Sequence, residues 1–390
     1  MNQAMLTADT PLLREPPVRV LHVNAGNLYG GIETFLVTLA RRRSVCADMV
    51  ASFALCFEGR LAEELRASGV PVHLLGSARL SRPWTVGQVR RRLYGLLIAE
   101  RCDVVVTHGC WPHLIAAPVA RRARRPLAFW AHSANEGRDW LEWWATRTIP
   151  DLVVANSLET ERRVRAHLFP NSRMEILHYP VNPPSDSNPA ETRSAIRAAH
   201  SIPHDAVVIV TACRMEPYKG NSLLLEALGL LTEVEGWHCW IVGGAQRPKE
   251  ARFMSRLQRQ ASTLGVTDRV QFLGQRADVP ALLAAADIHC QPNLGPEPFG
   301  IVFVEALYAG LPVVTTALGG ALEIIDDTCG VLVTPGDAAN LANVLANVIK
   351  DGQTRKRLGA GGPARAAALC DPVAQLGRME ALLRGMVRAS

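Results

Sequence analysis

Apolar residues along this chain follow two alternating rhythms. Short runs rich in Val, Ile and Leu are separated by longer stretches in which apolar positions recur every three to four residues. The first run, residues 18–23, ends in Asn24-Ala25-Gly26-Asn27-Leu28-Tyr29-Gly30-Gly31, after which Ile32, Phe35, Leu36 and Leu39 fall on one helical face. Strand, glycine loop and helix in immediate succession open an α/β unit. Further strands are expected at 50–57, 72–75, 103–107, 127–131 and 152–155, with helices over 59–68, 86–100 and 113–123. Residues 1–16 read as a loose leader.

Residues 179–189 carry four prolines among polar residues and read as a linker. The alternation then restarts, with strands expected at 207–212, 238–242, 270–273, 288–291, 313–315 and 330–333 and helices over 222–231, 250–264, 279–285 and 338–350. In residues 372–387, Leu376, Met379, Leu382, Leu383 and Met386 have helical spacing, which predicts an amphipathic helix that must dock on another surface. The fold class expected is α/β: two doubly wound Rossmann-like domains, over 1–183 and 184–370, facing a cleft. A terminal helix over 371–390 packs back toward the first domain. Open α/β sheets bind ligands outside the carboxyl ends of their strands, so two such edges on one cleft hold two substrates.

Composition narrows this picture. At 390 residues, 48% hydrophobic and 20% charged, the chain is an ordinary globular protein, not a coiled coil or a disordered one. Apolar stretches are interrupted before the roughly 18 residues a membrane span needs, and the N-terminus lacks the apolar core of a secretory signal, so a cytoplasmic location is expected. Nine cysteines form no C-x-x-C pair and read as buried free thiols. Charge is uneven: residues 1–183 hold 23 Arg, no Lys and 16 acids, a net of +7, whereas the remainder is close to neutral. A basic half suits an anionic partner, or reflects solvated arginines alone.

The most specific local pattern is Gly295-Pro296-Glu297-Pro298-Phe299-Gly300-Ile301-Val302-Phe303-Val304-Glu305. Pro and Gly hold Glu297 in a loop, and a helix starts near Phe299 or Gly300 with Glu305 on it. First-turn N–H groups lack internal partners and the helix dipole attracts anions. A phosphate placed there brings a nucleotide's sugar within reach of Glu305, whose carboxylate can accept two hydrogen bonds from a ribose diol. The plainer alternative is a capped helix with one solvent-facing Glu. Arg214 and Lys219 follow the strand at 207–212, and a guanidinium fork with an ammonium point charge can clamp a diphosphate. Gly243-Gly244 ends the next strand, where a ligand can approach the backbone or the chain merely turns. Gly319-Gly320 with Glu323 makes a similar loop.

Taken in order, these elements resemble the retaining glycosyltransferases of family 4, which have the GT-B fold. The resemblance rests on Gly30-Gly31, Arg214, Lys219-Gly220, Gly243-Gly244, Phe272-Leu273-Gly274, Asp287-Ile288, the Glu297-x7-Glu305 motif, Gly319-Gly320-x-x-Glu323 and the 330–335 stretch. It is dense from about 205 to 340 and thinner before that. The resemblance implies transfer of a hexosyl group from a nucleotide-diphosphate sugar, UDP- or GDP-linked, to a glycan or polyprenyl-lipid-linked acceptor. Retention of configuration and a role in cell-surface polysaccharide or glycolipid synthesis are implied with it. Arg214 and Lys219 would then hold the diphosphate, Glu305 the ribose, and Glu297 the transferred sugar beside Phe299, Gly300 and Ile301. Gly30 and Gly31 would bring backbone N–H groups to the donor phosphate. His132, in Trp130-Ala131-His132-Ser133, looks like the family's active-site His that touches the donor sugar. Asn156-Ser157 matches a further element, here taken as structural. No Asp-x-Asp element ends a strand, so no metal and no cofactor are expected.

The acceptor side is expected in the first half, which holds six of the eight tryptophans. Arg79, Arg82, Arg90-Arg91-Arg92, Arg121-Arg122 and Arg124-Arg125, with Trp84, could form a basic, aromatic surface for the inner face of the plasma membrane. Trp140, Trp143 and Trp144 could instead line a sugar subsite or fill the core. Two other readings stand beside this one: a GT-B enzyme of another reaction class, epimerase or phosphorylase, and a non-catalytic scaffold. A nucleic-acid binder would account for the charge but not for the cleft motifs.

Overall fold

The structure is a computed structural model that describes residues 16–27, 29–133, 135–184, 188–245 and 247–388. The expected leader lies outside the described residues except for its last position, as do residue 28 of the glycine loop and residues 185–187 of the linker.

Two parallel sheets form the molecule. The first contains β1 (Val18–Asn24), β2 (Met49–Leu55), β3 (Val72–Leu74), β4 (Val104–His108), β5 (Leu127–Ala131), β6 (Leu152–Ala155) and β7 (Met174–Ile176), in the order β3-β2-β1-β4-β5-β6-β7. The second contains β8 (Val207–Ala212), β9 (Trp237–Val242), β10 (Val270–Gly274), β11 (Ile288–Gln291), β12 (Val313–Thr316) and β13 (Gly330–Val333), in the order β10-β9-β8-β11-β12-β13. Helices cover both faces, so β4, β5 and β6 are buried at every position, which is why they read as unbroken apolar runs. Strand order reverses between β1 and β4 in one sheet and between β8 and β11 in the other. Loops leaving a strand at such a point diverge to opposite faces and open a crevice.

The C-terminal helix Pro372–Arg388 lies on the first domain. It buries Leu376, Met379, Leu383 and Met386, and is pinned where Glu380 Oε1 accepts from the Asp48 N–H at 2.6 Å and Arg384 Nη1 meets Asp48 Oδ2 at 2.7 Å. A second tie lies nearer the cleft. Ser157 and Thr160 hydroxyls both donate to the Pro298 carbonyl, and Glu323 accepts from the Glu159 N–H at 3.3 Å while facing His178 Nε2. The loop that carries Glu297 is thereby held by both domains.

Several elements depart from expectation. Helices Trp140–Ala145, Leu158–His167, Pro189–Ala199 and Gly352–Cys370 and strand β7 were not apparent in the residue pattern. The helix after Gly300 begins at Ile301, not Phe299, and runs to Tyr308. All nine cysteines are free; eight are buried, and Cys213 is half-buried at the cleft.

Candidate active site

A cleft of about 640 Å³ opens between the carboxyl ends of the two sheets. Ten of the twelve residues singled out in the sequence line it: Gly30 and Gly31 after β1, His132 after β5, Arg214 and Lys219 after β8, Glu297, Phe299 and Gly300 in the loop after β11, and Ile301 and Glu305 on the helix that follows. Gly243 and Gly244 are not in the lining. Gly243 has φ +150°, and a Cβ there would fall 1.9 Å from the Cys213 carbonyl oxygen; one on Gly244 would fall 2.6 Å from the Gln275 Cβ. Gly243 therefore lets the chain leaving β9 pass close to the Cys213 carbonyl, and Gly244 packs against Gln275.

Lys219 and Glu297 meet at the centre of the cleft as a nearly buried ion pair, Nζ to Oε2. Burial alone would lower the Lys219 ammonium pKa, but the adjacent Glu297 carboxylate outweighs it and holds the group above its ordinary value. Gln291 Nε2 lies 3.5 Å from the same carboxylate oxygen. Arg214 is more open, with Nη2 at 3.0 Å from Glu216 Oε2, so its guanidinium is only partly committed. The Glu297 loop is shaped from below: the Gly320 N–H donates to the Glu297 carbonyl at 2.8 Å, and Gly319, at φ +63°, has its Cβ position 2.3 Å from that oxygen. No side chain fits there, which gives the Gly319-Gly320 pair a concrete task.

Glu305 is half-buried in the cleft wall, without a hydrogen-bond partner among the described residues. Burial pushes its carboxyl up to about 7. The N-terminus of its helix, Ile301–Tyr308, faces across the cleft to the opposite domain; a Cβ on Gly31 would sit 3.2 Å from Ile301 Cδ1. Glu33 is buried in the first turn of helix Gly31–Arg41, directly behind Gly30, and burial raises its carboxyl pKa above the ordinary value.

His132 lines the cleft, yet both of its ring nitrogens are engaged within the protein: Nε2 with His108 Nδ1 at 2.9 Å and Nδ1 with the Tyr179 hydroxyl. Burial lowers its pKa to about 3, so the ring is neutral. Tyr179, Asn156, Tyr218 and Gln291 also line the cleft and were not singled out as contact residues. Behind them, His22 and His108 interrupt or end apolar strands, a pattern that signals buried imidazoles in need of partners. The tryptophans settle differently from both expectations. Trp140, Trp143 and Trp144 are 59%, 50% and 50% exposed, so they neither line the cleft nor fill the core. Part of the basic stretch is structural: Arg90 donates to the Leu114 and Ile115 carbonyls and Arg92 to the Leu75 carbonyl.

Two Rossmann-like parallel sheets facing one cleft across their carboxyl ends have the GT-B arrangement. Residues 29–184 match the model of Glycosyltransferase Family 4, and residues 192–365 match that of Glycosyl transferases group 1. A D-inositol 3-phosphate glycosyltransferase of Xylanimonas cellulosilytica is 31% identical over 382 residues, covering 94% of this chain and 82% of the relative. A phosphatidyl-myo-inositol mannosyltransferase of Mycobacterium leprae is 38% identical over 151 residues, 38% of either chain. The crystal structure of Anabaena Alr3699/HepE in complex with UDP and glucose superposes with a TM-score of 0.82 at 25% identity, covering 94% of this chain and all of that one. The chain belongs to glycosyltransferase family 4.

Proposed function

We propose that this protein is a retaining hexosyltransferase that uses a UDP-linked sugar and passes it to a hydroxyl of a phosphorylated polyol or lipid-linked glycan, without a metal ion. The observation that carries the reading is the convergence of Arg214, the Lys219–Glu297 pair and the N-terminus of helix Ile301–Tyr308 on one cleft. Cleavage of a glycosyl–phosphate bond builds positive charge on the sugar and negative charge on the departing diphosphate. Groups already aimed at that diphosphate lower the barrier without reorganisation. Arg214 and Lys219 supply two such charges and the helix N-terminus supplies free N–H groups. Glu305 accepts from the ribose diol, and Glu297, anchored by Lys219, faces the transferred sugar. In front-face transfer, the acceptor oxygen bonds to the anomeric carbon as the carbon–phosphate oxygen bond breaks. The acceptor's proton passes to the departing phosphate oxygen, so no protein base is required.

The UDP preference draws on the bound UDP of the Anabaena protein. The acceptor class draws on the inositol-linked activities named for the two curated relatives. The test is a thermal-shift panel of nucleoside diphosphates and nucleotide sugars, followed by nucleotide release with a chelator present. A ligand at about 100 times its Kd adds about 2.7 kcal/mol to stability and a clear rise in Tm. UDP and one UDP-sugar are expected to raise Tm in the wild type and not in Lys219→Ala, each measured against its own baseline. Response to GDP compounds alone would change the donor base. Silence from every nucleotide would favour the scaffold or phosphorylase reading, and activity lost to chelator and restored by Mg²⁺ would refute metal independence.

We further infer a cytoplasmic protein that rests on an anionic membrane surface. No helix among the described residues is long and apolar enough to cross a membrane. Helices Pro83–Ala99, Cys110–Arg122 and Trp140–Ala145 pack in sequence beside one another. Trp84 on the first and Trp140, Trp143 and Trp144 on the third are exposed, as is Ile149 just beyond it at 65%, and Arg147 stacks 4.0 Å over the Trp143 ring. Exposed indoles suit the headgroup layer, and nearby arginines suit anionic lipid. Flotation with phosphatidylglycerol-containing vesicles at low salt is expected to recover the wild type. The triple change Trp140→Ala, Trp143→Ala, Trp144→Ala should cut recovery at least about tenfold, on the order of 1 kcal/mol or more for indoles removed from an apolar layer. Equal recovery of both proteins would refute the membrane site.

A further inference from the structure

A second cavity, of about 340 Å³, lies on the first domain at the edge of the sheet opposite the active cleft. Four arginines line it, Arg121, Arg124, Arg125 and Arg173, with Asp151 the one acid among its described lining residues. Their meeting follows from the topology. Arg124 and Arg125 precede β5, Asp151 precedes β6 and Arg173 precedes β7, so they gather where three neighbouring parallel strands begin. The active cleft lies where the strands of the same sheet end. Helix Cys110–Arg122 delivers the first pair: its closing turn holds Arg124 at φ +53° and has the Arg125 N–H donating to the Ala120 carbonyl at 2.9 Å. Leu152, and Met386 from the C-terminal helix, give the cavity an apolar wall.

The four cations are of two kinds. Arg121 and Arg173 are committed within the protein: Arg121 Nη1 lies 2.8 Å from Asp151 Oδ2 and its Nη2 donates to the Ile149 carbonyl, while Arg173 Nη2 lies 2.9 Å from Glu175 Oε1. Asp151 is engaged in turn, since the same oxygen accepts from the Leu127 N–H at 2.8 Å. Arg124 and Arg125 have neither an ion pair nor a side-chain hydrogen bond among the described residues, and the Arg125 Nε–H is buried without an acceptor. A buried guanidinium donor lacking an acceptor costs free energy, and like charges around one cavity repel. A bound dianion relieves both.

We propose that this cavity is a binding site for a phosphate monoester, separate from the donor cleft. Guanidinium forks match phosphate oxygens two at a time, and a dianion balances the two uncommitted charges of Arg124 and Arg125. The volume falls at the small end of the roughly 300–1,000 Å³ of ligand pockets, room for a phosphate carrying a small polyol. Two sources carry that group, a soluble phosphorylated metabolite and a lipid headgroup. Ile149, whose carbonyl Arg121 holds, is 65% exposed and suits the second.

The site stands without the transferase reading, and its test measures binding, not turnover. Glycerol 3-phosphate is titrated by calorimetry into the full chain with UDP present to occupy the donor cleft. Flotation compares phosphatidylcholine vesicles with and without phosphatidic acid, whose headgroup is also a phosphate monoester. Glycerol 3-phosphate is expected to bind the wild type, to bind Arg124→Ala and Arg125→Met about tenfold or more weakly, and to weaken as salt is raised. Arg125→Met keeps an apolar stem in place of the charge; if it does not fold, Arg124→Ala decides alone. Lower phosphatidic acid-dependent flotation of the variants assigns a lipid headgroup. Unchanged flotation with weakened glycerol 3-phosphate binding assigns a soluble phosphate. Variants that match the wild type in both measurements, or a wild type that answers neither probe, would overturn the site. UDP that fails to bind overturns the donor reading instead, and the comparison of variants still holds because Arg124 and Arg125 lie at the far edge of the sheet.

Discussion

Lys219→Ala is expected to lower transfer by about a hundred- to a thousandfold and to destabilise the fold, and the two losses have separable causes. The catalytic loss follows from removing one pre-aimed cation from the diphosphate, where losing a single such group costs about 10²–10³ in rate. The stability loss comes from the partner left behind. The Glu297 side chain is 10% exposed and would retain only Gln291 Nε2, at 3.5 Å, beside its carboxylate. Breaking a buried pair by removing one member costs about 3–5 kcal/mol, because a charge remains without compensation. Glu297→Ala strands Lys219 in the same way. The double variant Lys219→Ala, Glu297→Ala strands neither, so it should be more stable than either single variant while remaining as inactive as Lys219→Ala. Urea unfolding and transfer rates on the three proteins check this. Strictly additive destabilisation would show that the pair is not coupled, and recovered transfer in the double variant would remove Lys219 from the reaction.

What the sequence made legible followed from local rules. The strand that runs into Gly30-Gly31 is visible because an apolar run, a glycine loop and a helical face occur within two dozen residues. The helix Ala338–Lys350 is visible because its buried positions Leu341, Leu345 and Val348 keep helical spacing. The helix Gly352–Cys370 was hidden because Gly359, Gly361, Gly362 and Pro363 read as breakers. Those glycines serve close packing: a Cβ on Gly359, Gly361 or Gly362 would fall 2.2–2.6 Å from the carbonyl oxygens of Gly310, Thr328 and Leu307. That requirement is tertiary and leaves no periodic trace. The cleft residues were legible where chemistry and spacing coincide, as in Arg214, Lys219, Glu297 and Glu305. Gly243-Gly244 has the composition of a ligand loop, but its tight neighbours are Cys213 and Gln275, partners that only the folded chain brings near. The histidine chain escaped for the same reason, since His22, His108 and His132 end up stacked from three separate strands or strand ends.

Glu305 makes donor binding depend on pH in a direction its surroundings fix. Burial raises its carboxyl from 4.5 to about 7, so near neutrality the group is only partly ionised. A ribose diol donates two hydrogen bonds and prefers the charged form, and bonds to a charged group are worth about 1.5–3 kcal/mol each. Donor binding must therefore draw a proton off Glu305, and affinity for a UDP-sugar should rise about tenfold from pH 6 to pH 8, then level off. A UDP-sugar is the right probe because its diester phosphates keep constant charge over that range. Stability moves the other way. Between about 4.5 and 7 the folded protein holds a proton on Glu305 that the unfolded chain has released, so the Glu305 contribution favours folding less as pH rises through that window. Glu305→Gln removes both trends: its donor affinity should be weaker by about tenfold or more at pH 8 and nearly flat with pH, and its Tm should fall less than the wild type's between pH 5 and 7.5. Titration calorimetry at pH 6, 7 and 8 and melting curves over the same range separate the outcomes. A Glu305→Gln variant that keeps the wild-type pH profile would place the titrating group elsewhere in the cleft and remove Glu305 from the ribose.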